Sequence, residues 1–175
     1  MAIEYFIFKT LRFLTLITSI IFLFLKYFSM PDMVAVFFGK SGDMNGYLPK
    51  DQFFYLIVFL LVLINLLIPL LSSTFKKSPN NWIESINRFF NKNLKSNKYF
   101  EIVTDWANLS ITFFNLLVLL SILIISRLNA TDYISSVSDY SWFGVFTFSL
   151  FIIIGVYPFI KIYFIKNLDI DAHNF

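Results

Sequence analysis

The sequence contains no cysteine and a single histidine, His173. The first absence excludes disulfides, thiolate metal ligands and cysteine nucleophiles. The second leaves no imidazole set for a zinc centre, and a lone His near the end of a chain reads as a solvated residue. Charge is scarce too: 14% of residues are Asp, Glu, Lys or Arg, against about 25% in soluble domains. None of these charges falls at the centre of an apolar run. That argues against a proton relay or an ion-coupled pump, which keep an intramembrane charge despite its cost. No paired acid and base, metal-ligand cluster or nucleophile beside a base can be read from the chain. No catalytic, cofactor-binding or metal residues are therefore assigned, and the chain is read as a non-enzyme. The net charge of +3 is small, and no nucleic-acid partner is expected.

What is abundant is apolar surface. Hydrophobic residues make up 58% of the 175 positions, 24 of them Phe, and the mean hydropathy is +0.72. One soluble core of this size could not hide so much apolar surface, whereas lipid accepts it. Four runs stand out, at about residues 8–28, 52–72, 106–126 and 141–160, each near the ~20 residues that cross a hydrocarbon core. They do not alternate polar with apolar, as barrel strands do, and a helix satisfies its own backbone in lipid. The expected fold is an all-α integral membrane protein: one domain, a four-transmembrane-helix bundle, with the lipid bilayer as its first partner. The first run has no small-x-small site after Leu25, where Lys26, Tyr27, Phe28, Ser29, Met30 and Pro31 come next. It reads as an uncleaved span rather than a signal peptide.

Lys and Arg are unevenly spread. Residues 73–105 carry Lys76, Lys77, Arg88, Lys92, Lys95 and Lys98, whereas residues 29–51 carry only Lys40 and Lys50, and residues 127–140 only Arg127. The bias predicts both termini and the middle segment in the cytoplasm and the other two loops outside. Trp106 and Trp142 are expected to mark span ends. Within the middle segment, Pro79 and Asn80-Asn81 break the chain and Glu84 comes next in a capping-box-like position. Trp82, Ile86, Phe90 and Leu94 then recur every fourth residue, offset from Glu84, Arg88 and Lys92. A short amphipathic helix over about 82–95 is predicted, lying on the cytoplasmic membrane face or packed on protein. Asn108-Leu109-Ser110 and Asn129-Ala130-Thr131 fit a glycosylation pattern that is common by chance.

Neutral polar residues do occur at mid-depth. Asn65 and Asn115 fall near the centres of the antiparallel second and third spans, at similar depth, with Thr18, Ser19 and Ser149 in the others. Interhelical hydrogen bonding, worth about 0.6–2 kcal/mol per bond, is one reading; a solute site is the other. Pro69, Gly155 and Pro158 are expected to bend or loosen helix ends.

The loop between the first two spans has Pro31 and Pro49 at its ends and Gly39, Gly42 and Gly46 between them. This is turn chemistry, and it predicts an ordered structural loop built on Pro31, Gly39, Gly42, Gly46 and Tyr47. Met33, Val34, Val36, Phe37 and Phe38 form an apolar cluster expected to bury against the spans or sink into the interface. Asp43, Asn45 and Lys50 would remain displayed and are the partner-binding candidates. Asp32 and Asp51, with Asp43, read as solvated loop carboxylates.

Pro31, Val34-Ala35-Val36, Phe38, Gly42, Gly46-Tyr47 and Lys50, with the later Ser78-Pro79-Asn80-Asn81-Trp82, resemble a bacterial membrane family, domain of unknown function 1648, which includes SdpI-like immunity proteins. The resemblance covers about residues 29–95. It departs at Phe37, where members often carry His, which removes a titratable group. The resemblance implies a small multi-span inner-membrane protein, in some members linked to immunity against a secreted toxin or to signalling, without an established catalytic residue. Three roles are the resulting expectations: an immunity-like or sensing protein that binds a peptide or protein through the outer loop, an accessory subunit packed among other membrane subunits, or a passive transporter of a small solute.

Overall fold

The computed structural model describes residues 2–38, 44–77, 79–90, 94–130 and 137–171. Among them are five α-helices: α1 (Ala2–Ser29), α2 (Lys50–Lys77), α3 (Pro79–Phe90), α4 (Ser96–Leu128) and α5 (Trp142–Asp171). A β-hairpin of β1 (Met33–Phe38) and β2 (Met44–Pro49) joins α1 to α2, and a single 3-10 turn, Val137–Tyr140, leads into α5. All but α3 are long and apolar enough to cross a membrane, so the chain is a multi-pass helical membrane protein. The helices outrun the expected spans. With 33 residues, α4 is about 50 Å long at 1.5 Å per residue, well beyond a hydrocarbon core of about 30 Å. The middle segment expected as a loop is therefore mostly helix, because α2 continues to Lys77 and α4 starts at Ser96.

The bundle is organised around α4. Residues 107–112 of α4 are all buried, so this stretch is enclosed on every side. Ala107, Ser110 and Thr112 are small enough to let neighbouring backbones approach. Toward the hairpin, between Asn115 and Ser126, burial narrows to Asn115, Val118, Ile122 and Ser126, a single stripe at helical spacing. The partners' directions are set by their bonds. Arg12 and Ser19 of α1 reach Asn108 and Asn115 at a constant separation of 96, so α1 runs parallel to α4. Asn65 and Lys76 of α2 meet Asn115 and Thr104, so α2 runs antiparallel. At the hairpin end Leu23, Phe53, Ile57, Leu61, Val118 and Ile122 close into one apolar core. At the other end α3 helps to build a second core from Ile83, Leu94, Tyr99, Ile102 and Ile162.

The amphipathic helix expected over 82–95 spans Pro79–Phe90 instead. Pro79 takes the first helical position, where its missing N–H costs nothing. Leu94 lies past the helix, buried, with its N–H donating to Asn87 Oδ1 at 2.7 Å. The inward face is thus Ile83 and Ile86, while Trp82 stays half-exposed, edge-on to Phe75 at 5.5 Å.

Pro69 and Pro158 sit within continuous helices. Pro158 has no N–H for the carbonyl of Ile154, four residues back, which would be orphaned in lipid. Trp106 supplies the donor: its Nε1–H bonds Ile154 O at 3.2 Å. Replacing Trp106 by Phe should lower stability by about 1–3 kcal/mol, the cost of a buried unpaired carbonyl. Adding Pro158→Ala, which restores a backbone N–H, should recover part of the loss. Thermal unfolding in detergent of the single and double variants checks this; a strictly additive pair would contradict the assignment.

Candidate functional site

The apolar run Val34-Ala35-Val36-Phe37-Phe38 is rich in β-branched and aromatic residues, which favour an extended strand. Expected only as an ordered loop, the segment is an antiparallel hairpin in which Met33 pairs with Pro49, Val34 with Leu48, Ala35 with Tyr47, Phe37 with Gly46 and Phe38 with Met44. The register slips at Val36 and again between Phe37 and Phe38, irregularities that bend the strand. Phe37 then lies across Gly46, where any Cβ would come within 2.7 Å of the Phe37 ring. Val34 and Ala35 are fully buried, Val34 against the hairpin-end core. Met33, Phe37 and Tyr47 are at least half exposed.

The hairpin is held to the bundle at two points. Asn129, the C-cap of α4, accepts the Ala35 N–H on Oδ1 at 2.7 Å and returns its Nδ2–H to Ala35 O at 3.0 Å. The same Nδ2 also bonds Ile125 O at 2.9 Å. The amide stands where a third strand's peptide would be, satisfying both groups of a β1 residue, and adds a second bond to the Ile125 carbonyl, which also accepts the Asn129 backbone N–H at 3.1 Å. At the hairpin base, Lys50 N–H donates to Asp32 O at 2.9 Å, and Lys50 Nζ lies 3.0 Å from Asp32 Oδ1. The same ammonium sits 5.6 Å from the Tyr27 ring centre, and the Tyr27 hydroxyl donates to Asp51 at 2.5 Å. Lys50, expected to be displayed, is thus tied to the base of the hairpin, and Asp32 and Asp51 each have a partner. Of the other predicted residues, Pro31 is exposed at the entry to β1, and Gly46 and Tyr47 lie in β2. Asn45 is described by its backbone alone, while Gly39, Gly42 and Asp43 lie outside the described residues.

The structure brings Asn65 and Asn115 together, with Asn65 Nδ2 donating to Asn115 Oδ1 at 3.0 Å and to Leu61 O at 2.9 Å. Ser19 Oγ bonds the Asn115 carbonyl at 3.1 Å, so three helices meet at one depth. Asn115 is fully buried. Asn65 Oδ1 and Asn115 Nδ2 have no partner among the described residues. Ser149, by contrast, bonds its own helix at Val145 O and stays exposed. The apolar hairpin-end core lies between this amide pair and the hairpin. The pair therefore fixes helix register at mid-depth, apart from the hairpin.

Asn129 and Asn87 are the functional side chains that the sequence reading missed. Asn129 entered only as a glycosylation match, which its three hydrogen bonds argue against, and the other matched residue, Asn108, is buried in α4. The available signal was an Asn at the end of a long helix, a frequent cap.

The arrangement defines a class: a multi-pass helical membrane protein whose one end is closed by a clamped β-hairpin. No protein-family model, curated protein or solved structure matches the chain.

Asn129→Ala should release the hairpin. Amide hydrogen exchange over residues 33–38 and 44–49 should accelerate by an amount equivalent to about 1–3 kcal/mol, while α2 and α4 stay protected. Asn129→Asp, which still accepts from Ala35 but cannot donate, should fall between. Separately, a double-mutant cycle with Asn65→Leu and Asn115→Leu should give a coupling of about 0.6–2 kcal/mol in thermal unfolding; zero coupling would show that the amides do not act as a pair.

Proposed function

We propose that the chain is a non-enzymatic interaction protein of the bacterial inner membrane that meets a peptide or protein partner on its hairpin cap, in an immunity-like or sensing role. The observation that carries this reading is the cap's construction. Asn129 and the Lys50–Asp32 pair fix the hairpin to the helix ends, while Met33, Phe37 and Tyr47 remain turned away from the core. A rigid platform with exposed aromatic side chains loses little conformational entropy on binding. Asp43 and Asn45, from the same connection between α1 and α2, are the candidate polar contacts. The Lys and Arg bias puts the termini and α3 in the cytoplasm and the cap outside, where a secreted peptide would arrive. The resemblance to SdpI-like membrane proteins over residues 29–95 favours the same role. The packed core of Leu23, Phe53, Ile57 and Ile122 beneath the cap speaks against a passive pore.

One observation favours a second reading, that of an accessory subunit. α5 packs on α4 through contacts such as Phe114–Phe151 and leaves Val145, Phe148 and Ile152 exposed, so its outward face is open to lipid or to another subunit.

A cysteine-free chain makes the orientation directly testable. Tyr47→Cys and Ser138→Cys should react with an impermeant thiol reagent in intact cells, and Ser85→Cys should not. A photo-crosslinking residue at Phe37 or Tyr47 should then capture a partner that is lost when Met33, Phe37 and Tyr47 are all changed to Ser. Adducts confined to position 148, with a stoichiometric membrane protein, would support the subunit reading instead; reversed labelling would refute the orientation.

A further inference from the structure

At the end of the bundle opposite the hairpin, α1 and α2 part from each other. Their ring contacts, Phe24–Phe54 and Tyr27–Phe54, all lie near the hairpin. Away from it the two helices flank a cavity of about 310 Å³ floored by α4. That volume is at the lower end of small-molecule pockets, which run from about 300 to 1,000 Å³. Lys9 and Arg12 of α1 and Lys76 of α2 all line it, and no Asp or Glu does. Their partners are neutral. Lys76 Nζ donates to the Thr104 hydroxyl at 2.6 Å. Arg12 reaches Asn108 Oδ1 at a long 3.4 Å. Lys9 Nζ stands 5.7 Å from the Tyr5 ring centre. Among the described residues none of the three forms an ion pair, whereas Lys50, Lys98 and Lys161 each do.

Three like charges converging on one cavity within helices long and apolar enough to span a membrane are costly unless an anion joins them. Hydroxyls of Ser72 and Thr104 and the amide of Asn108 add hydrogen-bonding groups, and Pro69, Phe13 and Ile111 make the deeper wall apolar. Arg offers a forked donor that fits two oxygens of a tetrahedral oxyanion, and the two Lys act as point charges around it.

We infer that this cavity is a phosphate-binding site formed by Lys9, Arg12 and Lys76, which takes the phosphodiester of an anionic phospholipid headgroup or a free phosphate group. In the orientation given above the cavity faces the cytoplasmic leaflet, where positively charged pockets between spanning helices meet anionic headgroups. The site is independent of the hairpin cap, so failure of either assignment leaves the other standing.

The test uses the whole purified chain, first in phosphate-free maltoside micelles, then with phosphatidylglycerol or inorganic phosphate added. Thermal unfolding and native mass spectrometry are the readouts. Stabilisation and retained adducts with phosphatidylglycerol would assign the site to a lipid headgroup; stabilisation by inorganic phosphate alone would assign it to a free solute. Arg12→Gln and Lys76→Gln should each weaken the response about tenfold, the loss of one charge-assisted hydrogen bond. Lys98→Gln, an equal charge change elsewhere, should not. Arg12→Lys and Lys76→Arg keep the charge and should retain a response, which separates binding from folding. No response to either probe, or an equal loss in Lys98→Gln, would overturn the site.

Discussion

Inside a bilayer a polar group has no water to fall back on, and the fold depends on how the polar groups of α4 meet that constraint. Asn108 takes a hydrogen bond from Arg12, Asn115 from Asn65 and Ser19, and Trp106 gives one to the carbonyl that Pro158 strands. Hydrophobicity drives the helices into lipid but does little to bring them together there, because lipid tails are as apolar as Leu. The bonds to α4, with close packing around Ala107 and Ser110, decide which helix lies where. The other three spanning helices keep most of their surface for lipid.

The two ends of the bundle then diverge in character. Toward the hairpin, α4 buries one apolar stripe, and Val34 of β1 completes the seal over Leu23 and Phe53. At the far end, α4 is enclosed but polar: Asp105, Asn108, Ser110 and Thr112 are all buried, beside a cavity rimmed by cations. The bundle is thus dry and apolar at the hairpin end and polar and charged at the other. The two asparagine clamps follow the same division. Asn129 ties an irregular strand to a helix end on one side, and Asn87 ties the approach to α4 on the other.

Much of the architecture could be read directly from the sequence. Twenty-residue apolar runs admit few folds in lipid, so four spanning helices were evident at once. Equal depth on antiparallel helices was enough to suggest Asn65 opposite Asn115. The hairpin was harder. Proline at both ends and a bulge at Val36 interrupt the period-2 signal, so the segment read as turns. The helix after Pro79 was misjudged at both ends, because Leu94 keeps the apolar spacing although the chain has already left the helix there. The Asn129 clamp could not be read at all: its partner, Ala35, is 94 positions away, and nothing local distinguishes a capping Asn from one that reaches across the fold.

The parallel pairing of α1 with α4 has a consequence for how the protein is made. Arg12 and Ser19 enter the membrane early, but the residues that satisfy them, Asn108 and Asn115, come 96 positions later. At about 5–20 residues per second, the ribosome needs roughly 5–20 s to supply them. For that interval α1 is a nascent span with an unmatched guanidinium, and it must wait beside the insertion machinery or near the headgroups, where the charge can remain wet. The last pieces of α1's environment arrive with α5, through Tyr157 against Phe8 and Lys161 against Glu4, so the native bundle can close only after α5 has been made.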